Sequence, residues 1–564
     1  HVLVPILSLE EQSALLTGST ALAEAFASVG APLRELLAIP FNVRLLAAVL
    51  EDGVPVSEMP KLRTQIDLVD RYWMCRVIGH DQLGFDREGV LRKACETMVN
   101  ARLLVAAVHD FLAVGASARL SELLSNGILV PGTTNVTALD RSFVRFAHHV
   151  LFDHAAERLL LRSTAPATTA ARLRDVDSML MIRPSLTLHL QHLWDQEPDR
   201  RRFWRAVEAI IADTQVPEIA KTAGPAMAAA QAKTRADIED LIRLLKDRDQ
   251  DRAAHGRVAL CHLIGELQLG RSTGCVVGPR AGPWVELLEA ISEDIDPEMA
   301  FRMYQLFMLV ADRTNEVTDV QRRLACTASL RLLDYHVDRG AEEAGRLGDA
   351  IRFACTFLPL DIERATRTLR RCLEPALLNA CTVEVVRGFV DSMSSLGQNA
   401  QELAADVCRT AFARNETSTR PRPMGTSRIL PLISNHRQDY ELCLHELGSG
   451  LPEFLRQAPI DATRAVIDII EQHCRKNHHA KRQVSVRVGA HEIVLLYDYS
   501  SMWDDRQFRD PPETLLPVLE AFLIGIGRDA GDSERLRNCV LELFFERAST
   551  GALWCAPRPL VRAR

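Results

Sequence analysis

The stretch FVRFAHHVLFDHAAERLLL, residues 143–161, carries two kinds of order. FVRFAHH has the period of two expected of a half-buried strand, whereas VLFDHAAERLLL places its apolar residues at helical spacing. His148 and His149 stand at the handover between them. Just upstream, ARLSELLSNGILV (118–130) reads as a helix closed by Asn126-Gly127 and followed by a short strand. PGTTNVTALD (131–140) reads as a polar turn. Helix, hairpin and closing helix give a winged-helix arrangement over 116–165. A strand running through both histidines would send their side chains to opposite faces.

Further towards the amino end, residues 8–115 read as helices. Ser8 and Glu11 have the spacing of a capping box. Pro40 suits the first turn of a new helix in APLRELLAIPFNVRLLAAVL (31–50). TQIDLVDRYWMCRVIG (64–79) and REGVLRKACETMVNARLLVAAV (87–108) continue the helical pattern, and HVLVPIL (1–7) reads as a short strand. From 170 to 480 the chain is helix after helix, for example ADIEDLIRLLKD, GRVALCHLIGELQL and AVIDIIEQHC. Irregular helix pairs in series predict an α-solenoid of the HEAT type. VSVRVGAHEIVLLYDYS (484–500) breaks the pattern with a β-hairpin, and helices resume to the end of 481–564. The expected fold class is therefore mainly α.

Composition agrees with packed helices. Of 564 residues, 47% are hydrophobic, 25% charged and only 5% aromatic. A net charge of −7 gives no overall footprint for nucleic acid or anionic membrane. Thirteen scattered cysteines without a CxxC pair argue for reduced thiols. No apolar run is long enough to span a bilayer and no signal-peptide pattern opens the chain, so a cytoplasmic protein without a membrane partner is expected.

Enzyme signatures are few. There is no GxxxxGK[ST] phosphate loop. GRSTG (270–274) puts Ser272 at a nucleophile position, but a helical pattern precedes it where a strand is required. HCRKNHH offers His473, Cys474, His478 and His479, at spacing poor for one helix face. YDYSSMWDD (497–505) groups Asp498, Asp504 and Asp505. None comes with a recognisable set of partner residues, and no catalytic or metal-ligating residue is expected from them.

AHHVLFDHA (147–155) resembles the MHD segment that closes the winged helix of STAND nucleotide-switch ATPases, the class containing the NACHT and NB-ARC proteins. His148 falls on the motif histidine, Val150 and Leu151 on its leucines, and Asp153 on a following aspartate. His149 stands where that motif has its aspartate. The NACHT version, an aromatic residue and a histidine two positions on, is met by Phe146 and His148. AIPFNVRLLAAVL (38–50) is similar to the lid segment whose proline packs on the adenine, with Pro40 on that proline and Ala38 in place of the usual glycine. IDLVDRYWMCRV (66–77) resembles the lid helix that follows.

This resemblance implies an ADP/ATP switch. Residues 8–115 would be the helical lid and 1–7 the last strand of a nucleotide-binding core. The phosphate loop and magnesium site of that core would lie upstream, so no activity is expected from this chain alone. The motif histidine would contact the β-phosphate of ADP and hold the closed state. Alignment puts His148 there, with His149 the alternative and Pro40 on the adenine side. The helical array would sense a protein trigger, with self-oligomerisation on activation, and bacterial members point to antiviral defence. The competing reading is a helical-repeat scaffold whose winged helix binds a partner or DNA. Its DNA version has only Arg119 as a strong base reader in the recognition helix.

Overall fold

The computed structural model describes residues 6–132, 142–163, 165–174, 178–270, 276, 278–311, 316–340, 345–424, 432–477, 482–488, 490–496, 500, 511–528 and 533–556. The chain is mainly helical, with only small antiparallel sheets. It divides into two compact units, His1–Cys275 and Val276–Arg564. Of the expected opening strand, residues 1–5 lie outside the described residues. Ile6 and Leu7 have no regular structure, although the Leu7 N–H donates to the Ala38 carbonyl at 2.7 Å.

In the first unit, α1 (Leu9–Thr17) opens on the expected capping box. Glu11 accepts from the Ser8 N–H at 2.7 Å, and Ser8 Oγ accepts from the Glu11 N–H at 3.2 Å. Helix α2 (Pro40–Glu51) starts on Pro40, as the sequence predicts. Its first turn is held by Asn42, a fully buried amide that donates to the Leu36 carbonyl and accepts from Gln65. Helix α3 (Gln65–Trp73) buries Leu68, Val69, Tyr72 and Trp73, then widens into a π-turn at Met74–Ile78. Such a turn leaves carbonyls to be satisfied from outside. The buried Arg87 of α4 (Gly84–Ala101) does this, donating to the Val77 and Ile78 oxygens. Gly84 lets α4 come this close, since a Cβ there would stand 2.6 Å from the Ile78 oxygen.

Helix α4 stops at Ala101, with Arg102 in the left-handed region at φ 57°. The sequence pattern carries helix on to residue 108. Instead Ala106–Ala107 forms β1, whose backbone pairs with β3. An apolar run this short fits either state until a partner strand claims it. Helix α5 (Ser117–Ser125) leads to β2 (Leu129–Gly132), which pairs antiparallel with β3 (Phe143–Phe146), Leu129 opposite Phe146. The sheet order is β1-β3-β2, with helices Val108–Phe111 and Ser117–Ser125 between β1 and β2, the strand pairing that the winged-helix expectation requires. The closing helix α6 (His149–Ala156) runs into a second π-turn, Glu157–Leu161, whose Leu159 and Leu160 carbonyls accept from Arg92 and Arg172. After it come α7 (Pro166–Arg172), α8 (Met179–Gln196), α9 (Arg201–Ala212), α10 (Ala223–Gln231) and α11 (Gln250–Leu269). Each packs mainly on near neighbours in sequence.

The second unit repeats that serial habit. It runs α12 (Gly282–Ile291), α13 (Asp319–Arg339), α14 (Leu347–Phe357), α15 (Ile362–Arg371), α16 (Thr382–Val390) and α17 (Gln401–Ala413). A short pair, β4 (Pro421–Met424) with β5 (Leu432–Asn435), precedes α18 (His436–Gln457) and α19 (Pro459–Asn477). Backbones touch where α14 crosses α16. A Cβ on Gly388 would meet the Gly348 oxygen at 2.6 Å, so this crossing needs both glycines. Charged side chains link successive helices. Arg371 of α15 bonds Asp334 of α13 at 3.0 Å, and Arg370 bonds Glu402 of α17 at 3.1 Å. Asp406 and Arg409 pair at 2.6 Å, and Arg409 reaches Asp468 of α19 at 3.3 Å. The expected hairpin is present as β6 (Gln483–Val488) and β7 (His491–Leu496). Helices α20 (Ser533–Arg547) and α21 (Gly551–Cys555) follow, and Arg547 closes on Asp468 at 3.0 Å.

Candidate functional site

The segment around Pro40 and the histidine pair, far apart in sequence, meet in space. The ring of Phe41, next to Pro40, stacks on the His148 imidazole at 3.7 Å between centroids, with 12° between planes. The expected strand through both histidines ends at Phe146. His148 is still extended at φ −148°, ψ 148°, but its Nδ1 accepts the Val150 N–H at 3.2 Å and so caps α6. Capture of that N–H starts the helix at His149. The two rings therefore lie side by side, 4.2 Å apart, rather than on opposite faces.

The cap also fixes the tautomer. An accepting Nδ1 carries no proton, so the ring proton sits on Nε2 and is free to be donated. Burial, and then the neighbouring His149 and Arg44, pull the His148 pKa down to about 4. His148 is thus a neutral N–H donor at physiological pH. His149 and Arg44 are exposed beside it. The junction presents donors and a guanidinium, a set suited to an anionic oxygen.

Behind the junction, α6 is anchored by ionisable groups. His154 is buried and bonds Asp70 of α3 at 2.8 Å. Burial opposes the charge on Asp70, but the bond and charge of His154 hold its pKa below the usual range. Arg158 bonds Glu88 at 2.7 Å, and Glu88 also accepts from the Trp73 indole. Glu157 is 2% exposed and takes Arg162 at 2.7 and 3.1 Å and His189 of α8 at 3.1 Å. Burial would raise its pKa, yet these partners bring it down to about 2.

Asp153 differs. Burial pushes its pKa up to about 6, and the 3.4 Å contact from the Ser185 hydroxyl offsets this only in part. The folded state holds the proton more tightly than the unfolded chain, so stability falls as pH rises from about 4 to 6. Asp153→Asn keeps the shape without the charge. It should stabilise the first unit by about 1–3 kcal/mol at pH 8, and the gain should vanish below about pH 4. Thermal unfolding at both pH values reads this, and a variant less stable than wild type at pH 8 would sink the argument.

Among the described residues, the other sequence candidates are not drawn together. Arg119 of α5 is tied to Glu122 at 2.5 Å, and Glu122 also holds Arg87 at 2.7 Å, so the recognition helix spends its base reader internally. His473 lies against Asn477, and Cys474 is buried. Among the described residues no group of three or more His, Cys, Asp or Glu side chains is arranged to hold a metal. Ser272, His478, His479, Asp498, Asp504 and Asp505 lie outside the described residues. No described helix is long and apolar enough to cross a membrane. Two features had no reading in the sequence, the histidine cap and the Phe41 stack. An aromatic directly after the lid proline was the one available signal for the second. No family model matches the chain, and no curated protein does either.

Proposed function

We propose that this chain is the regulatory and sensor part of a STAND-class ATP/ADP switch protein serving bacterial defence. In this reading the His148 Nε2–H donates to the β-phosphate of ADP and holds the winged helix in the closed state. Pro40 packs on the adenine side, and Arg44 adds positive potential. The helical array restrains the switch until a protein trigger binds, and the released protein self-oligomerises. ADP, with magnesium from a nucleotide-binding core, supplies the anionic group that the clamp grips. The chain carries no phosphate loop, so hydrolysis is not assigned to it.

The observation that supports this reading is the stacked contact between Phe41 and His148, which joins the two segments that resemble the lid and the winged-helix motif. A hydrogen bond to a charged acceptor contributes about 1.5–3 kcal/mol, enough to move a two-state equilibrium tenfold or more.

The test uses two substitutions in the full gene product. His148→Ala removes both donor and cap. His148→Asn removes the reach of Nε2 but keeps a good capping oxygen. Both should lose copurified ADP and shift from monomer to a larger assembly. Loss in His148→Ala alone would assign the effect to the cap. Nucleotide-free wild type, with all three proteins the same size, would reject the switch and favour the scaffold reading.

A further inference from the structure

A second donor-rich feature lies beyond the closing helix, between α7, α8 and α9. It is a cavity of about 500 Å3. Arg162, Arg202, Arg205, His189 and His192 line it, and no described carboxylate does. Thr169 and His189 form its buried floor, while Arg202 and Arg205 stand exposed at its mouth. Cationic groups gathered this way raise one another's energy until an anion joins them.

The donors are only partly used. Arg162 spends Nε and one Nη2 hydrogen on Glu157, leaving three of its five N–H groups. Arg202 is held at the rim by Glu197 at 3.1 Å and Gln196 at 3.2 Å. Arg205 is exposed and has no hydrogen-bond or ion-pair partner among the described residues. His189, 2% exposed, commits Nδ1 to Glu157 and keeps Nε2. His192 meets Gln196 through Nε2 and keeps Nδ1. Burial, then the Arg162 charge, lowers the His192 pKa, against the opposing pull of Glu157 and Asp70.

We propose that this cavity binds a small soluble phosphorylated ligand, no larger than a mononucleotide, at a site separate from the histidine junction. The planar guanidinium fork matches phosphate oxygens two at a time, and the open fork of Arg205 with the remaining Arg162 and Arg202 N–H groups suits a tetrahedral dianion better than a planar carboxylate. At about 500 Å3 the cavity has no room for a run of several nucleotides. Bound phosphate favours the charged imidazoles, so binding takes up protons. Arg162 follows directly on the π-turn that ends the closing helix, so the ligand would bear on the Glu157 pair that anchors it.

The test is calorimetric titration of the full chain with inorganic pyrophosphate at pH 6.5 and fixed ionic strength, in two buffers of different ionisation heat. Wild type should bind saturably with proton uptake. Arg205→Ala, at an exposed position, should weaken binding about ten- to hundredfold, and Arg205→Lys should recover part of it. In His148→Asn, the part of the binding that Arg205→Ala removes should remain. No saturable binding by wild type overturns the proposal, as does unchanged binding by Arg205→Ala. Loss in His148→Asn with retention in Arg205→Ala would move the anion to the junction and also overturn it.

Discussion

Glu157→Ala should open the contact between α6 and α8 and cost about 3–5 kcal/mol, the range for breaking one side of a buried ion pair. Two partners are stranded at once. Arg162 loses both of its carboxylate bonds, and the buried His189 loses the acceptor of its Nδ1. Hydrogen exchange of the full chain reads the effect locally, as a fall in amide protection of roughly 10²–10³-fold over 149–161 and 179–196. Protection within a factor of two of wild type would mean that apolar packing alone fixes the closing helix. The same carboxylate sets an acid limit. Its folded pKa of about 2 lies below the ordinary value of 4.5, so its stabilisation is complete above about pH 4.5 and fades as pH falls towards 2. Asp153, four residues away, has the opposite sign and a different window.

Glu471→Ala should release the last described helices from α19. Glu471 is buried and accepts from the Ser549 and Thr550 N–H groups at 2.5 and 2.7 Å, and from the Ser549 hydroxyl at 2.5 Å. It therefore caps α21 from a distant part of the chain, a place where a helix start would otherwise leave bare donors. Each buried donor left unmet costs about 1–3 kcal/mol, so a loss of about 3 kcal/mol or more is expected. The amides of 549–554 should exchange roughly 10²-fold faster. Glu471→Gln retains an acceptor oxygen and should fall between. Equal exchange in wild type and alanine variant would show that Ser500, which accepts from the Ala552 N–H at 2.9 Å, suffices alone.

What could be read in advance divides by the range of the interaction. Capping at Ser8, the helix start at Pro40, the hairpin over 484–496 and the helical array depend on neighbours within a few residues, and all were legible. The strand at Ala106–Ala107 was not, because β3 claims it from later in the chain. The candidate site divides the same way. The histidines and the proline stood out as residues, but the Phe41 stack and the shared orientation of the two rings come from tertiary contact. Glu157 and Glu471 carry no local signal in the sequence. Only burial against distant partners made them structural anchors.

The ion pairs of the second unit form a series in two runs, Asp334 with Arg371 and then Arg370, Asp406, Arg409, Asp468 and Arg547, joined through the adjacent backbone of Arg370 and Arg371. Each pair is partly exposed and worth only about 0–1 kcal/mol, too little to fix any one joint. Elastically the series behaves otherwise, because compliances in series add. A small softening at every joint, as salt shortens the Debye length below about 8 Å, sums to a visible change of curvature while the apolar layers beneath stay shut. The array is then a spring whose stiffness is set by its ionic surroundings.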